Sequence, residues 1–338
     1  MQMSEYESIP ALFRERLQHL VTPEQYEQVL HSFSVSRPLS FRANTLKISA
    51  AELAEELKTA QVPISQIPWY KDAFILSSLE IQQLIHPRYV DGSLYVQSLS
   101  SMVPALVLDP QPSDLILDLT AAPGSKTTQI AAMMGNAGQI IANELSLVRI
   151  FKLQANLKKQ GVTNTVVRRS PGEFLWKKFS EYFDRSLVDA PCSMEGRFSL
   201  SDPETYEDWS YKKIKELSMR QSHLLRSAVT ATRPGGVIVY STCTLAPEEN
   251  EGVVNWLLEK EHGNVVLEEI QIEGLEMIPG VTEWRGKTFM PELTKTARIL
   301  PSETMEGFFV AKLKKIGTSI VQQPEKRSFN RFSKKRRY

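Results

Sequence analysis

Hydrophobic residues after position 104 occur as short continuous runs, separated by longer stretches in which they recur every three or four positions. The runs predict strands over 115–119, 139–143, 165–167, 186–188 and 237–240. The spaced stretches predict helices over about 124–134, 147–159, 212–231 and 248–261. Strands that alternate with helices of this length indicate an α/β domain of the Rossmann-like type, in which helices cover both faces of a mostly parallel sheet.

The first hundred residues follow a different pattern, in which shorter elements are separated by prolines. Hydrophobic spacing predicts a helix over 50–58, and short strand-like runs predict strands over 40–48 and 73–76. We therefore predict a smaller N-terminal α/β domain at 1–103 and a larger domain at 104–315.

The composition is that of an ordinary globular protein, since 42% of the 338 residues are hydrophobic and 23% are charged. No apolar run reaches the roughly 18 residues that a transmembrane helix needs, and the first thirty residues lack the features of a signal peptide. The two cysteines, Cys192 and Cys243, are too few for a disulfide scaffold or a four-cysteine zinc site. We therefore expect a cytoplasmic protein with reduced thiols, no membrane contact and no bound metal.

Charge is distributed unevenly along the chain. Residues 312–338 carry a net charge of +9 and residues 1–311 carry −8, although the whole chain carries only +1. Because a basic segment with few aliphatic residues cannot bury enough surface to fold alone, we predict a flexible tail at 316–338. Its aromatic residues, among them Phe329 and Phe332, fit phosphate attraction combined with base stacking. A solvated terminus that only aids solubility is the alternative.

Ligands of parallel α/β sheets bind at the carboxyl ends of the strands, so the turn after the first predicted strand is a candidate binding site. This turn, 118–126, reads DLTAAPGSK and fits neither a P-loop nor a dinucleotide-binding fingerprint, because it has a single glycine. Glu144 ends the second predicted strand, where an acid accepts hydrogen bonds from ribose hydroxyls in such folds; an exposed loop acid is the alternative. A cofactor with one adenosine fits both features, and S-adenosylmethionine is the natural candidate.

The two cysteines follow two strands that we expect to be neighbours. Cys192 lies in the segment 189–193 (DAPCS), and Cys243 lies in 241–244 (STCT). A lone cysteine is most often a buried, inert residue. Because both cysteines stand at strand carboxyl ends beside polar residues, we predict that they converge on one cleft, where an acidified thiol would be a strong nucleophile.

These segments resemble the RNA (cytosine-5) methyltransferases of the Sun/Fmu type, which are RsmB-like. The resemblance covers roughly 40–314 and is carried by six segments: 42–47 (RANTLK), 96–102 (VQSLSSM), 120–127 (TAAPGSKT), 184–193 (DRSLVDAPCS), 240–250 (YSTCTLAPEEN) and 306–312 (EGFFVAK). The combination of DAPCS and STCT in this order is highly specific.

The resemblance implies a covalent mechanism in which a thiolate adds to carbon 6 of cytosine and thereby activates carbon 5 for methylation. It assigns the attack to Cys243 and release of the adduct to Cys192. It places Asp189 at the N3/N4 edge of the base, and it expects Lys126 to position the cytosine or to lower the pKa of a thiol. The cofactor-binding residues that it implies are Thr120, Ala121, Ala122, Pro123, Gly124, Ser125, Lys126, Glu144 and Asp189.

The sequence departs from the family pattern at two places. The first turn has Thr120 and Ser125 where the family commonly has Cys and Gly, and both changes are small. Ser170 stands where the third strand usually ends in an acid that contacts adenine, so we assign no acid to that contact.

By resemblance the substrate is RNA, with ribosomal RNA favoured over transfer RNA, and we expect a monomer whose N-terminal domain and basic tail contact the RNA. A DNA cytosine methyltransferase would use Cys192 but would leave Cys243 without a purpose. An amino-methyltransferase would carry Asn/Asp-Pro-Pro-Tyr/Phe in place of DAPC. A catalytically weak RNA-binding ribosome-assembly factor that retains the fold is the remaining alternative.

Overall fold

A computed structural model describes residues 6–77 and 85–319 of the chain. These residues form a large sheet of nine strands with helices on both faces, a four-stranded sheet and a short hairpin. Within these two ranges, no helix is long and apolar enough to cross a membrane. Most of the tail that we predicted at 316–338 lies outside the described residues, which end at Ser319.

The helices of the described residues are α1 (Ala11–Leu20), α2 (Pro23–Ser32), α3 (Ala50–Thr59), α4 (His86–Asp91), α5 (Leu99–Leu108), α6 (Ser125–Met133), α7 (Leu147–Gln160), α8 (Tyr211–Ala231) and α9 (Glu251–Glu261). The strands are β1 (Ser40–Ala43), β2 (Ile64–Ile67), β3 (Tyr70–Leu76), β4 (Leu94–Val96), β5 (Leu115–Asp118), β6 (Gln139–Asn143), β7 (Thr165–Arg168), β8 (Phe183–Asp189), β9 (Thr232–Thr242), β10 (Val265–Glu268), β11 (Ile278–Pro279), β12 (Glu283–Trp284), β13 (Lys287–Thr288), β14 (Ala297–Ile299) and β15 (Phe308–Lys315). Short 3₁₀ helices span Gly172–Lys177, Glu195–Arg197, Pro203–Thr205 and Pro291–Lys295.

The centre of the large sheet is parallel, with strand order β9-β8-β5-β6-β7. Beyond β9 the sheet continues with antiparallel strands: β15 pairs with β9, and both β10 and β14 pair with β15. The chain leaves β5 toward β6 and later returns to the other side of β5 as β8. The crevice between β5 and β8 is therefore the topological switch point, where such sheets bind ligands.

Successive residues of β5 face opposite sides of the sheet. Ile116 lies in one buried core with Met102 of α5 and Ile130 of α6. Leu117 lies in a second core with residues of α8 and α9, including Leu224. Both faces of the sheet are thus covered by helices, which confirms the predicted fold class.

Two predicted elements are shorter in the structure. The strand predicted over 40–48 ends at Ala43, because the chain turns where the Lys47 amide donates to the Asn44 carbonyl. The helix predicted over 248–261 begins only at Glu251, since the residues before it form turns.

The four-stranded sheet has the order β2-β3-β1-β4 and packs against α3 through Phe41, Leu53 and Phe74. Helices α1 and α2 do not join that core; they pack on Phe198 and Tyr206, which follow β8 in the chain. Helix α5 runs across the domain boundary that we predicted at 103/104 and packs on the large sheet. The domain limits therefore remain a prediction.

Candidate active site

The carboxyl ends of β5, β6, β8 and β9 surround a cavity of about 310 Å³. Its wall includes six of the predicted site residues: Thr120, Ala122, Glu144, Asp189, Cys192 and Cys243. The other predicted residues do not line it: Ala121, Pro123, Gly124, Ser125 and Lys126. A larger cavity of about 800 Å³ lies between α8, α9 and the β12–β13 hairpin and contains none of the predicted residues.

The two sulfur atoms meet in this cavity. Cys192 Sγ lies 3.2 Å from Cys243 Sγ, and both cysteines are free thiols. The hydrogen bond with Cys243, together with burial, raises the pKa of Cys192 well above its ordinary value. Either sulfur can donate in this contact. The raised pKa makes Cys192 the harder of the two to ionise, which favours Cys243 as the nucleophile, since only the thiolate form attacks.

Asp189 lies between a cation and a hydroxyl at the end of β8. Lys126 Nζ donates to Asp189 Oδ2 over 2.7 Å, and Ser241 Oγ donates to Asp189 Oδ1 over 2.9 Å. The Thr120 hydroxyl donates to the Asp189 carbonyl over 2.9 Å, which ties the ends of β5 and β8 together. Lys126 contacts this carboxylate rather than a thiol, so the geometry favours its positioning role over an effect on a thiol pKa.

Lys126 is held by residues that sequence reasoning missed. Its Nζ also donates to Ser101 Oγ over 2.8 Å. The Ser101 carbonyl accepts from Gln97 Nε2 over 3.0 Å, and Gln97 Oε1 accepts from Arg42 Nε over 3.0 Å. Arg42 Nη2 reaches the first turn of α6 at Thr128 Oγ1, 2.7 Å away. A buried chain of hydrogen bonds thus connects β1 of the small sheet to the Lys126–Asp189 pair.

Glu144 stands at the end of β6, where its carboxylate is largely enclosed. Oε1 accepts from the Ser146 amide over 2.8 Å, and Oε2 lies 3.2 Å from Arg149 Nη1. Arg149 also donates to the Ala122 carbonyl in the first turn. Asn143, the preceding residue, lines the cavity, and its Oδ1 has no hydrogen-bond partner among the described residues.

Ser170, at which the sequence departs from the family pattern after the third strand, also lines the cavity. Its carbonyl accepts from Asn143 Nδ2 over 3.0 Å. The only acid near it in sequence, Glu173, is paired with Arg220 over 2.8 Å. No acid among the described residues therefore takes the place that Ser170 occupies.

Two buried carboxyl groups, which sequence reasoning also missed, hold the cysteine loops. Glu249 Oε2 accepts from the Ser193 amide over 3.0 Å and from Gln221 Nε2 over 2.7 Å. Burial raises the pKa of Glu249 to about 8. Glu195 accepts from Thr244 Oγ1 over 3.1 Å, and burial raises its pKa as well. Glu249 lies inside the segment 240–250, and Glu195 lies two residues after the segment 184–193. Because their partners are far away in sequence, neither role could be predicted from the sequence.

Asp118 at the end of β5 is another missed residue. It is 1% exposed, and its Oδ2 accepts from Thr127 Oγ1 over 2.6 Å, which fixes α6 to the sheet. Burial raises its pKa to about 6. Across the described residues, no group of three or more His, Cys, Asp or Glu side chains could hold a metal ion.

Comparison with known families gives matches over most of the chain. Residues 105–314 match the family described as 16S rRNA methyltransferase RsmB/F. Residues 9–99 match the N-terminal domain of 16S rRNA methyltransferase RsmF.

Similar proteins include methyltransferases of both ribosomal and transfer RNA. The tRNA (cytosine(49)-C(5))-methyltransferase of Pyrococcus abyssi is 39% identical over 92% of this chain and 98% of its own length. Ribosomal RNA small subunit methyltransferase F of Erwinia tasmaniensis is 37% identical over 94% of this chain, but the match covers only 65% of its own length. The 28S rRNA (cytosine-C(5))-methyltransferase of Mus musculus is 35% identical over 95% of this chain and 40% of its own length.

Solved structures show the same fold. A methyltransferase homologue from Pyrococcus horikoshii superposes with a TM-score of 0.80 at 31% identity, covering 94% of this chain and all of the other. NSun6 from the same organism, solved with SFG, gives a TM-score of 0.78 at 25% identity, covering 92% of this chain and all of the other.

Proposed function

The chain belongs to the RsmB/F family of 16S rRNA methyltransferases, and from this membership we propose that it methylates carbon 5 of a cytosine in RNA. The observation that carries the proposal is the 3.2 Å contact between Cys192 and Cys243, beside the Lys126–Asp189 pair. We favour ribosomal RNA as the substrate, with transfer RNA as the alternative. The transfer RNA alternative is supported by one relative, which this chain matches over 98% of that relative's length and which is named for a tRNA position.

The cavity fits the S-adenosylmethionine that we propose as methyl donor. The cavity has a volume of about 310 Å³ and lies at the switch point of the sheet. Glu144 would accept hydrogen bonds from the ribose hydroxyls. Thr120 and Ala122, the residues of the first turn that line the cavity, would approach the rest of the cofactor closely because their side chains are small. Asn143 Oδ1 adds an unpartnered acceptor in the wall. When bound, the cofactor supplies an electrophilic methyl group.

The residues of the chain act on the cytosine in a defined order. The thiolate of Cys243 adds to carbon 6, which makes carbon 5 nucleophilic toward the methyl group. Asp189, held by Lys126, stabilises the charge that develops at the N3/N4 edge of the base. Once carbon 5 carries the methyl group, it loses its proton to solvent, which restores the double bond and expels the Cys243 thiolate. We assign Cys192 to assist this step.

Cys243→Ala tests the nucleophile. This variant should lose methyl transfer and should form no covalent adduct with RNA that contains 5-fluorocytosine, because the bond to carbon 6 cannot form. The wild-type chain and Ser100→Ala, a buried change outside the cavity wall, serve as controls. Undiminished turnover of Cys243→Ala would refute the assignment. A wild-type chain that binds RNA but transfers no methyl group would favour the assembly-factor alternative.

A further inference from the structure

Four large apolar side chains that lie in or within two residues of the cavity-lining positions 145, 149 and 172 are exposed. Leu145 is 44% exposed, Val148 68%, Phe151 61% and Phe174 58%. Leu145 itself lines the cavity, so the patch begins at the cavity wall. Exposed apolar side chains that cluster beside a binding cavity mark a surface that a partner covers.

The charges around this patch are almost all positive. Between residues 145 and 178 the sequence has eight Lys and Arg residues and one acid, Glu173, which is paired with Arg220 over 2.8 Å. Seven of these cations are exposed, and five of the seven form what we call the basic rim: Lys152, Arg168, Arg169, Lys177 and Lys178.

The cations and the apolar patch belong to one surface. Arg169 Nε donates to the Leu145 carbonyl over 3.1 Å, and the Arg168 carbonyl accepts from the Glu144 amide over 3.1 Å. On the other side of the cavity, Lys177 Nζ lies 4.9 Å from the ring centroid of Phe174. Phe174 is thus accompanied by a cation, and Lys152 follows Phe151 directly in the chain.

We propose that the basic rim and its phenylalanines bind the RNA strand that flanks the target cytosine. This inference rests on the proposed function and adds the surface on which the strand lies. A polyanion is the partner that matches a surface on which cations outnumber acids, and unpaired bases stack on exposed aromatic rings. A protein partner would account for the apolar patch but not for the excess of positive charge.

The test removes charge from the rim and compares it with charge removed elsewhere. The rim triple variant is Lys152→Ala, Arg168→Ala and Lys178→Ala, and the control triple replaces the exposed Lys212, Lys260 and Lys287 by Ala. The logarithm of RNA affinity should depend less steeply on the logarithm of salt concentration in the rim triple, with the slope reduced by about 2, since each lost phosphate contact removes about 0.7 for single strands. The control triple should retain the wild-type slope.

The kinetic readout separates RNA binding from chemistry. The rim triple should raise the KM for RNA and leave kcat at saturating RNA and cofactor affinity unchanged. Phe151→Ala with Phe174→Ala should weaken RNA binding about five-fold or more without changing the salt slope. Equal salt slopes in the rim and control triples would overturn the proposal. Equal slopes are the result expected if the patch binds a protein instead of RNA. A wild-type chain that does not methylate RNA would instead refute the proposed function.

A second inference concerns the ammonium group of Lys126, which must keep one orientation to hold Asp189 in the proposed mechanism. Two of its three N–H donors are directed to Asp189 Oδ2 and Ser101 Oγ, and its side chain is 8% exposed. Because the ammonium nitrogen is tetrahedral, two fixed donors also fix the direction of the third. The buried Gln97 and Arg42 hold the Ser101 backbone in turn.

We infer that Ser101 is a positioning residue that directs the third N–H of Lys126 toward the cytosine held by Asp189. The observation behind this inference is the buried hydrogen-bond chain, which is independent of the surface described above. The same chain of hydrogen bonds gives a role to the segments 42–47 and 96–102, which resemble the family although they lie outside the cavity wall.

Ser101→Ala and Ser100→Ala form a matched pair for this test. Ser100 is the neighbouring serine and is buried, but its hydroxyl donates to the Glu306 carbonyl over 2.6 Å. Ser101→Ala should lower kcat and the rate of adduct formation about ten-fold, with the KM for RNA unchanged, because it removes a hydrogen bond to a charged group. Ser101→Thr should restore kcat, and Ser100→Ala should retain it. Equal kcat values in the two alanine variants, with the wild type active, would overturn the inference.

Discussion

The 3.2 Å contact between the sulfurs of Cys192 and Cys243 bears on which of them attacks. The raised pKa of Cys192 favours this residue as the one that keeps its proton, which leaves Cys243 as the proposed nucleophile. In the mechanism that we propose, Cys192 then lies beside the sulfur that must leave carbon 6. A single position of Cys192 would therefore serve both the start and the end of the reaction.

Replacing Cys192 by alanine should slow release more than attack. We expect Cys192→Ala to accumulate a stable protein–RNA adduct, visible as a slowly migrating band on denaturing gels, and to lose turnover by about 10²-fold or more. Cys192→Ser, which retains a donor, should accumulate less adduct. A fully active Cys192→Ala protein that dissociates freely from RNA would show that Cys192 is structural.

The buried Glu249 makes stability depend on pH. Its pKa is about 8 in the folded protein against an ordinary value of 4.5, so between these values the native state binds a proton that the unfolded chain has lost. Stability should therefore fall as the pH rises from about 4.5 to about 8, by up to about 4–5 kcal/mol from this residue.

Glu249→Gln should remove this dependence, because the amide mimics the protonated acid. We expect the variant and the wild type to have similar free energies of unfolding at pH 5, and the variant to be more stable at pH 8. Urea denaturation at several pH values measures both curves. Parallel curves would contradict the expectation; Asp118, whose pKa is also raised, affects both proteins equally.

Among the elements, β14 and α9 are joined behind the Cys243 loop by a buried ion pair. Arg298 Nε donates to Glu251 Oε1 over 2.6 Å, and Arg298 Nη1 donates to the Leu245 carbonyl over 2.9 Å. Arg298 and Glu251 are 1% and 0% exposed. The antiparallel strand thus fixes the chain just after Cys243.

Arg298→Met should destabilise the protein by about 3–5 kcal/mol, because it leaves the Glu251 carboxylate buried without its partner. Arg285→Met, which removes an exposed pair with Glu15, is the matched control and should cost about 0–1 kcal/mol. Chemical denaturation measures both changes. Comparable losses in the two variants would show that burial of the Arg298 pair has no special effect.

Within the large sheet, the sequence allowed the parallel strands to be predicted but not the antiparallel ones. Strand β5 and helices α6 and α7 were predicted within two residues, because each has uniform periodicity and a clear turn beside it. Strand β15 carries lysines at 312, 314 and 315, which interrupt its apolar run, and its role depends on pairing with β9, far away in sequence. Non-local pairing leaves little trace in local patterns.

The same limit applies to the site. The sequence motifs identified Cys192, Cys243 and Asp189, which the structure places in one cavity wall. They did not identify Ser101, because its contact with Lys126 depends on how α5 packs against α6. Glu249 was missed for the same reason, since it holds the Ser193 amide 56 positions away.

At the scale of the whole molecule, positive charge is concentrated at the rim and in the last residues of the chain. Residues 320–338 contain seven Lys and Arg residues and one acid. This concentration suits a protein that approaches a polyanion in a preferred orientation. It also predicts that part of the RNA affinity resides outside the catalytic fold.

Truncation after Ser319 should weaken RNA binding and flatten its salt dependence, because it removes phosphate-binding charge while every described contact is retained. The melting temperature and the kcat at saturating RNA should stay the same. Filter binding between low and moderate salt measures the change in slope. Affinity that is unchanged at low salt would support the simpler view that the tail only aids solubility.

The short distance between the sulfurs has a consequence for how the protein is stored. A disulfide requires the sulfurs to approach to about 2.05 Å, only a small movement from the 3.2 Å observed. Peroxide would therefore join them with loss of two protons and two electrons, and the oxidised protein would be folded but inert. A preparation aged in air should regain its activity on addition of a thiol reductant, so oxidation state has to be measured before any sample is judged inactive.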